Sequence, residues 1–378
     1  MTMTPGTREA VQSVTGGSAT IYRLYDVGYE IDLARAGRLL TPQAPPPPRP
    51  KRVEAAALVV PKPPLIFELG TKSVDVGDFT VRASLSATIF DFGVISLRLG
   101  IPAPSDLAWP EYVDFANALH GTMSGRSLCD ETLPALLASL GPAIQRQAVA
   151  SVTEDYIVFR AAALCDPAGQ RIIPPRLSGD ALAALLLNEN RTLSAAAKRE
   201  LLPHRFAYTT ADYAVLTWES AFVVEPDAED RDVEYVLEFA NAQLLELRVF
   251  DAKLDAELPL MYDRVAAVRG RPTKVFRRYR SLLAEIQTLV ADTTEIVERV
   301  ENALKVTDDV YLARVYSAAL TIFRGSAWRR GIDRKLEITR DTYSMLNAES
   351  QATRGEVMEF AILLLILGEI LLSIFGRA

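Results

Sequence analysis

The sequence predicts an α+β protein: a mixed α/β globular domain, a long-helix coiled-coil and hairpin region, and a C-terminal transmembrane helix. Three observations predict it. Runs of β-branched and aromatic residues, broken by Pro and Gly, fill Val53 to Val224. From Val233 apolar residues recur at alternating spacings of four and three. Finally, Phe360 to Phe375 reads FAILLLILGEILLSIF, sixteen residues with one charge. These divide the chain into 1–52 (arm, first strand and helix, Pro-rich linker), 53–228 (α/β domain), 229–357 (helical region) and 358–376 (transmembrane helix).

The first eighteen residues are polar and read as a loose arm. Ile21 to Val27 alternates like a strand, and Ile31 to Leu40 has helical spacing. Thr41 to Arg52, TPQAPPPPRPKR, reads as a stiff polyproline spacer. Beyond it, VEAAALVV, LIFEL, FTVRASLSATIF and GVISLRL read as strands. Helical stretches follow near Trp109–His120 and Glu131–Leu140, then a strand in Ala148–Ala161. Ser178–Asn188, opened by a serine cap, and Leu193–Leu202 read as short helices. Phe206–Val224 reads as a hairpin. Asp91-Phe92-Gly93 matches a kinase metal-binding triplet, yet no Gly-rich loop or HRD-type loop accompanies it, so it is read as a hairpin turn.

The helical region carries three seams. Val233, Leu237, Ala240, Leu244, Leu247, Asp251, Leu254, Leu258, Met261 and Val265 form the first, with Asp251 on the seam and Pro259 expected to kink the helix or mark its last turns. Leu282, Ile286, Leu289, Thr293, Ile296, Val300 and Ala303 form the second. The third is more polar: Leu336, Thr339, Tyr343, Leu346, Ser350, Thr353, Val357 and Phe360. Helix hairpins, and homo-oligomers built from them, are the natural packing for such seams.

Composition narrows the function. The 378 residues carry a net charge of −7, against a surface that tracks DNA. Two cysteines, Cys129 and Cys165, and two histidines, His120 and His204, have no metal-ligand spacing. The shortage of histidine removes the usual proton carrier of triads and general-base schemes. No P-loop, dinucleotide fingerprint or nucleophile elbow occurs. We therefore expect no catalytic residue, metal or cofactor. The N-terminus lacks a signal peptide, and the Ala, Leu and Arg content looks bacterial, which places the body in the cytoplasm at a bacterial inner membrane.

Phe360 to Phe375 spans roughly 24 Å as a helix, a little short of the ~30 Å hydrocarbon core. Glu369 costs about 2.5–3.5 kcal/mol at mid-membrane, which ten Leu and Ile residues at roughly −0.3 to −0.6 kcal/mol each offset. Phe360, Leu364, Gly368, Glu369, Leu371 and Phe375 are the expected membrane and oligomer contacts, Gly368 allowing close helix approach beside a polar group that needs a partner.

Residues 233–265 (VEYVLEFANAQLLELRVFDAKLDAELPLMYDRV), the preceding FAYTTADYAVLTWESAFVVEP and the segment from Arg329 to Phe375 resemble the required-for-meiotic-nuclear-division family, with its YagE-like and Sad1-interacting-factor-like members. The likeness covers about the last half of the chain. It implies an α/β domain, a helical hairpin region and a C-terminal membrane helix. A mitochondrial relative is an inner-membrane protein that supports translation by holding ribosomes near the membrane. The family carries no catalytic residues to transfer.

Glu246, Asp251, Asp255 and Glu257 read as inter-helix salt-bridge partners, since no histidine stands by to complete a metal set. Two basic clusters stand out: Arg269, Arg271, Lys274, Arg277, Arg278 and Arg280, and Arg324, Arg329, Arg330, Arg334 and Lys335. Either solvated helix ends or contacts to anionic lipid or RNA suit them. The sequence thus points to a tail-anchored, oligomeric scaffold without catalytic activity, binding a protein or ribonucleoprotein. The alternatives are an RNA- or ribosome-associated tether using residues 269–280, and an enzyme with a pocket in 53–225.

Overall fold

The β-branched and aromatic runs assemble into one eight-stranded sheet. The computed structural model describes residues 11–40, 58–59, 62–77, 79–104, 107–121, 124–174, 177–269, 275–302, 305–306 and 309–375; the polyproline spacer lies outside them. The strands are β1 (Ser18–Asp26), β2 (Leu65–Val76), β3 (Phe79–Ile89), β4 (Val94–Pro102), β5 (Thr153–Ala161), β6 (His204–Phe206), β7 (Tyr213–Leu216) and β8 (Ser220–Val224). They lie in the order β6-β7-β8-β5-β1-β4-β3-β2. Every neighbouring pair is antiparallel except β5 and β8, which run parallel with Phe159 opposite Phe222. Parallel neighbours need a crossover. Here it holds two capped helices and the β6–β7 pair, and the expected hairpin at 206–224 forms as the antiparallel pair β7–β8, with Tyr213 opposite Val224.

The helices are α1 (Leu33–Leu40), α2 (Trp109–Gly121), α3 (Ser124–Leu140), α4 (Gly179–Leu187), α5 (Ala195–Leu201), α6 (Asp232–Arg269), α7 (Val275–Asn302), α8 (Val310–Ile322) and α9 (Gly325–Phe375). Ser178 and Ser194 cap α4 and α5, each accepting a backbone N–H at 3.1 Å. Asp91-Phe92-Gly93 is a turn: Phe90 N–H donates to Val94 O (2.9 Å), and Gly93 has φ +97°. A Cβ there would stand 2.0 Å from Gly28 O, so only glycine fits.

Strand alternation gives the sheet two different faces. Ala19, Ile21, Ala87, Leu97, Leu99, Phe159 and Phe222 bury against α2, α3 and α4 in two apolar clusters. The other face presents Thr20, Tyr22, Ser86, Thr88, Ser96, Glu154 and Arg160, all buried. The chain forms two compact units, Met1–Val249 with Arg299–Ser326, and Phe250–Glu298 with Ala327–Ala378. The sheet belongs to the first.

In the second unit the three seams meet. Met261, Ile286 and Leu346, one from each, bury together with Leu258, Leu283 and Tyr343 packed against them. The side chains of Val265, Leu282, Ile296, Val300, Ala303, Ser350, Thr353 and Val357 lie outside the described residues. Pro259 lies inside its helix, which runs on for ten residues to Arg269.

The expected transmembrane helix at 358–376 finds no support in the structure. Among the described residues no helix is long and apolar enough to cross a membrane. Residues 358–375 are instead the last part of the 51-residue α9. Glu359 precedes the apolar run and Glu369 interrupts it, with Ile370 to Phe375 continuing beyond.

Candidate functional site

The polar face of the sheet is closed by the first half of α6. Arg160, at the end of β5, donates through Nη1 to Glu234 Oε1 (3.0 Å) and Asp230 O (2.7 Å), and through Nη2 to Asp227 O. Arg231 Nη1 donates to the same carboxylate at 2.7 Å. Tyr22 on β1 reaches Glu234 Oε2 at 3.3 Å. One turn along, Glu238 stands 3.9 Å from Arg98 Nη1 of β4, and further on Arg248 pairs with Glu154 of β5. Burial pushes Glu238 and Glu154 above the usual carboxylate range, while Arg98 and Arg248 pull the other way. Burial works against the Arg98 charge, but Glu238, Tyr22 and Glu234 hold it on.

Where β5 and β8 end, a cleft of about 510 Å³ opens. Its lining combines Arg160, Asp212, Glu225, Asp230 and Asp309 with the rings of Tyr208 and Tyr311, 5.8 Å apart. Three of these carboxylates serve the backbone. Asp212 accepts from Tyr208 N–H (2.8 Å) and Thr209 N–H, Glu225 from Asp227 N–H (3.0 Å), and Asp309 caps α8 through Tyr311 N–H (2.8 Å) and Leu312 N–H (3.1 Å). Burial raises the Glu225 carboxyl, partly opposed by its bond from Asp227. His120 lies on α2 against Phe159 (5.2 Å) and His204 in β6, and burial lowers both below the usual imidazole range. Neither lines the cleft, so it holds carboxylates without a paired imidazole base. Among the described residues no group of three or more His, Cys, Asp and Glu is placed to hold a metal.

The structure scatters the residues singled out in the sequence. Of the acidic set, Asp251 and Asp255 both accept from Lys335 Nζ, at 2.6 and 2.7 Å, tying α6 to α9 within the second unit. Glu246 is buried and Glu257 half-buried. Arg329 pairs with Asp333 at 3.1 Å, so this basic cluster supplies helix-to-helix and i,i+4 ties. Arg269 closes α6, and Arg277, Arg278 and Arg280 start α7; Arg271, Lys274 and the side chains of all six lie outside the described residues. Phe360, Leu364 and Glu369 are exposed and Gly368 is half-buried; the side chains of Leu371 and Phe375 lie outside the described residues.

The ionic face of the sheet escaped the sequence reading. Tyr22, Arg98, Arg160, Glu234 and Glu238 span more than two hundred positions. A faint signal exists: in VISLRL polar residues occupy every second position of a strand that is buried on both faces.

Fold and site together define an α+β protein with a sheet domain at its N-terminal side, followed by long helices. The chain belongs to the family described as "Uncharacterized protein MJ0711, N-terminal domain", which matches residues 16–231, more than half of it. The matched span holds the whole sheet and α1 to α5, and stops where α6 begins. The uncharacterized protein MJ0711 of Methanocaldococcus jannaschii is 24% identical over 197 residues, 51% of this chain and 58% of that protein. The chain thus matches well under two thirds of that relative's length. No solved structure matches it.

Proposed function

We propose that this protein is a non-catalytic, oligomeric scaffold or adaptor, tethered to a membrane through the end of α9. One observation carries the proposal. Met358, Phe360, Ile362 to Leu367 and Ile370 are all exposed, from 48% for Ile366 to 73% for Leu365. They occupy every side of the helix. Apolar side chains all around a helix need an apolar medium, since water contact costs about 25 cal/mol per Å². An exposed patch of this kind marks a membrane or protein interaction site.

Lipid is the occupant we favour. Glu359 and Glu369 are ten positions apart, roughly 15 Å along a helix, which is about the depth of one leaflet's hydrocarbon. The segment would then be buried in the apolar layer with each carboxylate near a polar boundary, a tether that does not require a full crossing. Gly368, with no neighbour within 4 Å of where its Cβ would be, leaves room for a second helix to approach beside Glu369. We extend the reading to the finer family likeness, the required-for-meiotic-nuclear-division family. On that reading the body faces the cytoplasm and recognises a protein or ribonucleoprotein.

Flotation of the purified full-length protein with liposomes of neutral and anionic lipid tests the tether. We expect it to float with the vesicles, and removal of residues 358–378 to leave it at the bottom of the gradient. A protein that stays below with its apolar segment intact, or floats without it, overturns the proposal.

A further inference from the structure

The sheet is gripped differently on its two faces. Helices α2, α3 and α4 hold one face mainly through two apolar clusters, with Arg23 and Tyr25 of β1 bonded to Asp130 of α3 at the margin. The first half of α6 holds the other with a mixture: Phe239 sits edge-on to Phe90 (5.5 Å) and Phe92 (5.9 Å), beside a line of charges. Glu238 is the weak link in that line. It is 3% exposed, its Oε2 is 3.9 Å from Arg98, and its Oε1 has no well-formed hydrogen bond from any described group. Ser96 Oγ and Arg98 Nε, beneath it on β4, are likewise buried without a well-formed partner. Thr88 on β3 is already an acceptor for Arg98 Nη1 at 3.4 Å. A buried carboxylate facing a loose guanidinium repays little of its desolvation.

We propose that residues 232–249 of α6 form a proton-sensitive latch on the sheet, with Glu238 the group that tightens or loosens it. The titratable and polar groups that act on Glu238 among the described residues come from three strands and from α6. Arg98 and Ser96 come from β4, Thr88 from β3 and Tyr22 from β1, while Glu234 and Tyr235 lie on α6 itself. Among these groups Arg98 carries the positive charge. Protonated, Glu238 sheds its desolvation cost and its repulsion from Glu234, and gains a donor for Ser96 or Thr88. Ionised, it has Arg98 only across the 3.9 Å gap and the Ser96 and Thr88 hydroxyls as donors, which together do not offset its burial.

The sign follows from the direction of the shift. Burial raises the docked carboxyl above its undocked value. The docked helix therefore holds the proton more tightly than the released one. Docking is strongest below the ordinary glutamate range, and weakens as pH rises through the window up to the raised value. Release of the helix, relative to unfolding of the sheet, should therefore be favoured toward neutral pH. Nothing in this proposal depends on the membrane tether.

Native-state hydrogen exchange on the full-length protein tests it. After correction for intrinsic rates, opening of the amides 236–246 is compared with that of β1 amides 19–25 at pH 5.0 and 7.5. We expect the ratio to rise at least threefold with pH in the natural chain and to be flat in Glu238→Gln. Glu154→Gln, which alters the pair with Arg248, should keep the rise. An unchanged rise in Glu238→Gln, or its loss only in Glu154→Gln, overturns the proposal. If Glu238→Gln does not fold, the natural chain decides alone: α6 exchanging in step with β1 at both pH values overturns the latch.

Discussion

Cys129 and Cys165 look alike in the sequence, but the fold treats them differently. Cys129 is fully buried on α3, and burial, only partly opposed by Arg23, pushes its thiol up to about 12. Cys165 is half-buried where a short N-terminal strand pairs with it. Since the thiolate is the reactive form, one thiol per chain should react with an aromatic disulfide reagent at pH 8 in the native protein. The second should react only in denaturant, and Cys165→Ser should abolish the native reaction. His120 permits a second test at this scale. Burial lowers its imidazole, with the Leu185 carbonyl opposing. The unfolded chain thus takes up the proton first, and stability is lost as pH falls below about 6.5. The raised carboxyls Glu154 and Glu238 act oppositely, gaining stability over the acid side. We therefore expect His120→Gln to become more stable relative to the natural chain between pH 7 and pH 5.5, read as the difference in urea midpoints.

Elements are where the sequence was most legible. The serine before α4, the Asp-Phe-Gly turn and the three helical seams were readable because each rests on local spacing or on one residue's backbone preference. Asp309 was not singled out, though it caps α8 with two backbone bonds at 2.8 and 3.1 Å. Asp309→Ala should cost about 1–2 kcal/mol of stability, and Asp309→Asn much less. What could not be read is long-range. Arg160 and Glu234 meet only after the crossover places β5 beside β8, and no local period announces that. Lys335 is a milder case: its partners Asp251 and Asp255 read as salt-bridge residues, but the matching cation lies 84 and 80 positions away. The apolar run in α9 is legible in composition, but Glu359 and Glu369 charge it, and among the described residues no helix is long and apolar enough to cross a membrane.

At the scale of the whole chain, the described residues form two cores of unequal size, and these should set how the protein unfolds. The first unit buries two extensive apolar clusters around the sheet, with Phe159, Phe222, Leu97 and Leu99 almost fully enclosed. The second joins its three helices through a core centred on Met261, Ile286 and Leu346, supplemented by polar seam residues such as Thr293 and Thr339. Apolar burial is the dominant favourable term, so the helical unit should be the less stable and should melt first, as a separate calorimetric transition. Leu346 is fully buried, and Leu346→Ala should cost roughly 2–5 kcal/mol. That cost should appear in the lower transition alone. Leu99→Ala, in the sheet, should lower only the upper one. A single cooperative transition that both substitutions move equally would mean that the two cores fold as one, and the division of the chain at Val249 would then carry no thermodynamic weight.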